Sequence, residues 1–191
     1  MPTAEQPIVP FTNAKAFRRW LKTNHAMHQG IWMQLAKKDS GIPSITYAEA
    51  LDEALCYGWI DGQKKSQDAQ HWLQKFTRRG PRSVWSQINI AHIERLTSEG
   101  RMQPTGQAAV DAAKTDGRWE QAYHSSRNHE LPEDLLTAVS KNVKAQAFLD
   151  TLNKANRYAI YFRLTTARKP ETRARRFEQL LEMLKRGQKL H

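Results

Sequence analysis

The sequence predicts an α+β fold: a small N-terminal antiparallel sheet with helices, followed by a mainly helical C-terminal part. Three observations carry this. Residues 31–36 and 72–76 alternate side chains with the period of two expected of strands. Between them, Thr46 to Gly58 spells out a whole helix, with cap, apolar stripe and stop. Beyond about residue 83, apolar residues recur three and four apart, punctuated by Pro and Gly.

Residues 1–10, with prolines at positions 2, 7 and 10, read as an extended arm. Asn13 caps a first helix whose apolar face is Phe17, Trp20 and Leu21, and Asn24-His25 ends it. After Gly30, the residues Ile31, Met33 and Leu35 share one face of a strand. Asp39-Ser40-Gly41 is a turn. Thr46 and Glu49 have capping-box spacing, and Ala50, Leu51, Ala54 and Leu55 form the buried stripe that follows. Gly58 stands where a helix needs a left-handed stop. Trp59 to Gly62 enters a strand at once, Gln63 to Asp68 is a polar, basic loop, and His71 to Thr77 is a further strand. A helix starts at Pro81 or Ser83 and runs through Trp85, Ile88, Ile93 and Leu96 to Gly100. Pro104 opens another through Val110 and Ala113, broken by Asp116-Gly117, and residues 117–131 are irregular. Leu135, Leu136 and Val139 mark a helix opened by Pro132. Two more carry Phe148, Leu149 and Leu152, then Tyr158, Tyr161 and Leu164. Pro170 starts the last helix, with Phe177, Leu180, Leu181 and Leu184 as its stripe and Gly187 as its stop. The expected domains are an α+β core over 11–100 and a helical region over 101–191 packed on it.

Hydrophobic content of 39% with 26% charged residues fits a globular chain rather than a disordered one. No apolar run approaches the roughly 20 residues that span a bilayer, and the N-terminus does not read as a signal peptide. The one cysteine, Cys56, excludes an internal disulfide; its apolar helical context makes it a small buried hydrophobe. A reducing cytoplasm is the expected compartment. The net charge of +11 supports a polyanion partner, whether nucleic acid, anionic lipid or another acidic surface, and the partners expected are an anionic small molecule, an acidic partner or nucleic acid. His25, His28, His71, His92, His124, His129 and His191 show no metal-ligand spacing, so no metal is expected. Neither a Gly-rich phosphate loop nor a Gly-x-Ser-x-Gly elbow occurs, and no cofactor is expected.

Three constellations can carry chemistry. Asp61, at a strand end beside Lys64 and Lys65, can act as a base or simply cap a turn or pair with Arg82. Lys64, Lys65, Trp72, Lys75, Arg78, Arg79, Arg82 and Trp85 combine cations with aromatic rings, which suits phosphate contact with stacking. Between positions 64 and 82, six Lys/Arg stand against Asp68 alone. The alternative is that both tryptophans are core and the cations a solvated rim. The third is Arg168, Arg173 and Arg176 near a helix start. These can take a second anion, or form a solvated face paired with Glu171 and Glu178.

The motifs Ser44-Ile-Thr-Tyr47, Glu49 to Gly62 and Lys64-Lys65 closely resemble the YdeI/OmpD-associated, or bacteriocin-protection, family. Pro81 to Ser86, Asn89-Ile90, Gly100-Arg-Met102 and Lys169 to Arg176 continue the resemblance in order over roughly residues 15–190. One departure is the turn Thr77-Arg78-Arg79-Gly80-Pro81, where the family usually has a proline directly after the threonine. The resemblance implies a stress or bacteriocin-protection role and supplies neither catalytic residues nor a cofactor. The leading expectation is a cytoplasmic, non-enzymatic protein. It would bind an anion where the Gly58–Gly62 strand meets the Pro81–Trp85 turn. Trp59, Asp61, Lys64, Lys65, Arg79, Arg82 and Trp85 are its candidate ligand-binding residues. A nucleic-acid-binding module and an enzyme using Asp61 on a small anionic metabolite are the alternatives.

Overall fold

The structure, a computed structural model, describes residues 6–27 and 29–190. The first five residues of the expected arm, His28 and His191 lie outside the described residues. The elements are β1 (Ile8–Pro10), α1 (Ala14–Asn24), β2 (Ile31–Ala36), α2 (Tyr47–Cys56), β3 (Trp59–Ser66) and β4 (His71–Arg78). Six helices follow: α3 (Gln87–Ser98), α4 (Pro104–Thr115), α5 (Glu133–Ser140), α6 (Val143–Thr151), α7 (Lys154–Thr165) and α8 (Pro170–Lys185). They form two compact units. One holds the chain up to Ser83 with Asn89–Trp119; the other holds Val84–Ile88 and the chain from Glu120 on.

The sheet of the first unit has the order β1-β2-β4-β3. Its three long strands are antiparallel, as the alternation predicts, and the short β1 adds parallel to β2. Ile31, Met33 and Leu35 are buried on one face of β2, with Ile31 opposite Phe76. Phe17 and Trp20 of α1 lie on that face, ring centroids 6.0 Å from Phe76 and 5.7 Å from Trp59. The edge strand β3 runs on to Ser66, so the polar segment expected as a loop is mostly strand. Lys64, Lys65 and Ser66 pair with Gln74, Leu73 and Trp72; the ladder with β4, not side-chain polarity, sets their conformation. Between Asp61 and Lys64 the register slips. Two residues there stand outside regular pairing, and buried Gln74 donates its side-chain amide to both their carbonyls, Gly62 at 2.9 Å and Gln63 at 3.3 Å.

Helix α2 forms as its sequence requires. Thr46 and Glu49 make the reciprocal capping box, and Ala50, Leu51, Ala54, Leu55 and Cys56 are buried. Glu53, on the same buried side, is 1% exposed. Arg18 of α1 donates to both its oxygens at 2.7 and 2.6 Å, and Arg101 donates to one at 2.9 Å. Its neighbour Asp52 receives Arg95 at 2.6 Å and His92 at 2.9 Å from α3. Burial pushes the Asp52 carboxyl up, but the hydrogen bonds from Arg95 and His92 outweigh it and hold the group below its ordinary range. Helix α4 comes so close to the end of α2 that a β-carbon on Gly106 would lie 2.1 Å from the Cys56 carbonyl oxygen.

Helix α3 begins at Gln87 rather than at Pro81 or Ser83. Tyr123 N donates to Trp85 O and Gln87 N donates to Tyr123 O, so this segment bridges to residue 123 instead of winding into helix. In the second unit, Leu135, Val139, Ala145, Leu149, Leu152, Ile160, Leu164, Leu180 and Leu184 form the core of α5 to α8. Asn142 and Asn153 cap α6 and α7, and Pro170 opens α8.

Stability measurements on three variants check this account. Gly106→Ala is expected to cost about 1–3 kcal/mol in urea unfolding, because the new methyl meets backbone that cannot yield. Glu53→Ala is expected to cost about 3 kcal/mol, the low end for breaking a buried pair, since Arg18 and Arg101 keep part of their surface in water. Because the folded-state pKa of Asp52 is depressed, its contribution is present above the unfolded pKa. That contribution fades as pH falls below about 4, so Arg95→Gln should flatten the acid limb of the stability profile.

Candidate functional site

Gly58 ends α2 with φ +74° and turns the chain directly into β3. Its carbonyl accepts from Arg79 N at 2.9 Å, which holds the end of β4 beside it. A β-carbon on Gly58 would stand 2.9 Å from Thr105 O at the start of α4. After β4, Gly80 and Ser83 close a turn in which Gly80 N donates to Ser83 Oγ and Ser83 N donates to Gly80 O, both at 3.0 Å. Arg118 is buried below this turn. It donates from Nε to Asp116 at 2.7 Å and from a terminal nitrogen to Ser83 O at 3.2 Å.

These elements surround a cleft of about 320 Å³. Its polar wall carries Arg78, Arg79 and Arg118, with His25 and Tyr57 on another side. The α4 wall is made of the small side chains Ala108, Ala109 and Ala112. Among the described residues, no Asp or Glu lines the cleft. Arg78 is exposed, whereas Arg79 and Arg118 are buried. His25 is held from two directions: its Nδ1 donates to Leu21 O at 3.1 Å, and its own carbonyl accepts from the Trp59 indole at 2.8 Å. Burial pushes the Tyr57 hydroxyl above the usual phenol range. With Arg118 paired to Asp116, the recess keeps the charge of Arg78 and Arg79, which suits a carboxylate or phosphate. Among the described residues, the lining holds no serine, cysteine or carboxylate; Thr105, Tyr57 and His25 supply its hydroxyl and imidazole groups.

Of the basic residues singled out from sequence, Arg78 and Arg79 line the cleft; of the seven candidate ligand-binding residues, Arg79 does. Trp59 is fully buried behind it and serves as an anchor for His25 rather than as a stacking surface. Arg82 is exposed on the turn, outside the lining. Asp61 also lies outside it and accepts from Tyr47 Oη at 2.7 Å, rather than pairing with Arg82. Lys64 and Lys65 sit five and six residues beyond Trp59, roughly 15–20 Å along the strand. Their ammonium groups fold over their own sheet, Lys64 4.4 Å from the Trp72 ring and Lys65 4.2 Å from the Trp32 ring. Trp85 belongs to the second unit and is buried there. The expected second anion site is also in that unit. There Arg173 forms a bidentate pair with Asp134 at 2.7 and 3.0 Å rather than with Glu171 or Glu178. Arg176 donates to Arg163 O at 2.8 Å, and Arg168 also has an interaction partner. Sequence reading did not assign His25 or Arg118 to the site. The signal available for Arg118 was its place just after the Asp116-Gly117 helix stop.

Comparison with known families defines the chain in two parts. It belongs to the family described as Domain of unknown function (DUF8412), whose model matches residues 9–109. Residues 128–187 match the model described as Bacteriocin-protection, YdeI or OmpD-Associated. The second match covers Lys169 to Arg176 among the resembling motifs; those between Ser44 and Met102 lie in the first. No curated protein and no solved structure matches the chain. No helix among the described residues is long and apolar enough to cross a membrane.

Cys56 is buried close to the cleft, and burial pushes its thiol up to about 11. At pH 8 the native protein is therefore expected to react with a chromogenic disulfide reagent at least about 10-fold more slowly than the urea-unfolded chain. Equal rates would mean that the α2–α4 contact opens readily.

Proposed function

We propose that this chain is a cytoplasmic bacteriocin-protection protein that acts by binding a small anionic ligand, without catalysing a reaction, in the cleft of Arg78, Arg79 and Arg118. One observation carries the reading: three guanidinium groups, of which Arg118 is paired with Asp116, line a recess of about 320 Å³ that no acidic side chain lines among the described residues. That volume is at the lower end of ligand pockets, about 300–1,000 Å³, and fits a small anion or a single nucleotide better than a folded partner. The name of the family matched over residues 128–187 supports the protective role. The single cysteine of the sequence supports the compartment.

Titration calorimetry with pyrophosphate tests the site. Arg78→Gln is expected to weaken binding about 10-fold or more, the scale of one charge-assisted hydrogen bond. Ala112→Phe, which fills the recess, should abolish it. Arg82→Gln on the adjacent turn should leave it within twofold. Pyrophosphate affinity that neither cleft substitution changes would place anion binding elsewhere.

A further inference from the structure

The first helix carries a feature that the cleft does not use. Lys15, Arg18, Arg19 and Lys22 fall at i, i+3, i+4 and i+7, so they form one stripe, turned away from the buried Phe17 and Leu21. This stripe lines an open groove of about 700 Å³. His25, Tyr57 and Thr105 line both the groove and the cleft, so the two run into each other within the first unit. Arg18 is committed in part to Glu53. Lys15, Arg19 and Lys22 are exposed and have no ion-pair partner among the described residues. Among the described residues, no Asp or Glu lines the groove. One uninterrupted positive track thus runs from the α1 stripe past two rings, His25 and Tyr57, to the arginines of the cleft.

We infer that this track binds single-stranded nucleic acid, with successive backbone phosphates along α1 and one nucleotide seated in the cleft. The inference rests on reading the cleft as an anion site. From Lys15 to Lys22 the helix advances about 10 Å. That length exceeds what one phosphate occupies and suits consecutive phosphates of an extended single strand. A lone small anion would not need cations spread over that length. A duplex presents its phosphates on a convex cylinder and cannot place a nucleotide in a recess of about 320 Å³. An anionic membrane is a poorer match, because the apolar face of α1 is buried in the core and has nothing to insert.

Fluorescence anisotropy with a labelled 12-nucleotide single strand of mixed sequence provides the test, run from 50 to 300 mM salt on the full chain. The triple variant Lys15→Gln, Arg19→Gln, Lys22→Gln changes only exposed positions and keeps good helix formers. It is expected to lower affinity about 10- to 100-fold at 100 mM salt and to make the salt slope shallower by about 2, at about 0.7 per phosphate lost. Its pyrophosphate affinity should stay within twofold of wild type. Unchanged oligonucleotide binding in the triple variant, with pyrophosphate binding still sensitive to Arg78→Gln, overturns the track and leaves the cleft standing. Pyrophosphate binding that ignores Arg78→Gln overturns the cleft itself. Equal affinity for the duplex of the same sequence, or binding to phosphatidylglycerol vesicles without binding to the oligonucleotide, also overturns the assignment.

Discussion

The first unit is built around a buried carboxylate. Glu53 faces the core side of α2, and a lone charge there would be strongly unfavourable. It is stable because Arg18 reaches it from α1 and Arg101 from the segment between α3 and α4. Next to it, Asp52 gathers Arg95 and His92 from α3. The two carboxylates therefore set where α1 and α3 lie against α2. A pairing of this kind contributes less to net stability than apolar packing of the same volume would, but it discriminates against helix placements that leave a charge unpaired. The cleft inherits that geometry. Its floor is the end of α2, its far wall is α4, and Gly58 and Gly106 are small enough to let the two meet.

The distribution of cations matters more than their number. A net charge of +11 says that the surface is positive on average. The densest cationic segments of the sequence are largely consumed within the fold. Lys64 and Lys65 lie over tryptophan rings, Arg173 clasps Asp134, and Arg176 donates to a carbonyl of α7. The positive track draws on three separate stretches: Lys15, Arg19 and Lys22 of α1, the adjacent Arg78 and Arg79 at the end of the 64–82 segment, and Arg118, which also pairs with Asp116. Linear charge density pointed to Arg78 and Arg79 but not to the rest, because the number of partners a cation has depends on the fold.

Local structure was legible wherever the responsible physics is local. The Asn13 cap, the Thr46–Glu49 box, the left-handed Gly58 and the Pro170 start all act within a single turn, and the structure contains each of them. The alternation of β2 was legible because one face is buried and the other is not. Two segments were misread for one reason. Gln63 to Ser66 is polar enough to suit a loop, and Pro81 to Ser86 has residues that open helices. In each case pairing with a distant segment, β4 or Tyr123, fixes the backbone. The site was legible only in part. Arg78 and Arg79 stand in a charge run that the sequence shows, but their meeting with Arg118 and His25 in one recess depends on how α1 and α4 pack, which residue order does not display.

By itself, then, the sequence determined the α+β class, the helix caps and stops, the apolar stripes, the burial of Cys56 and the excess of positive charge. These follow from residue type and short spacing, which act without knowledge of the rest of the chain. Only the tertiary structure decided which cations face a common recess, which are neutralised, and that Trp59 is an anchor rather than a platform. Those outcomes depend on helices 40 or more residues apart in sequence meeting at Gly58, and local patterning does not encode such a meeting.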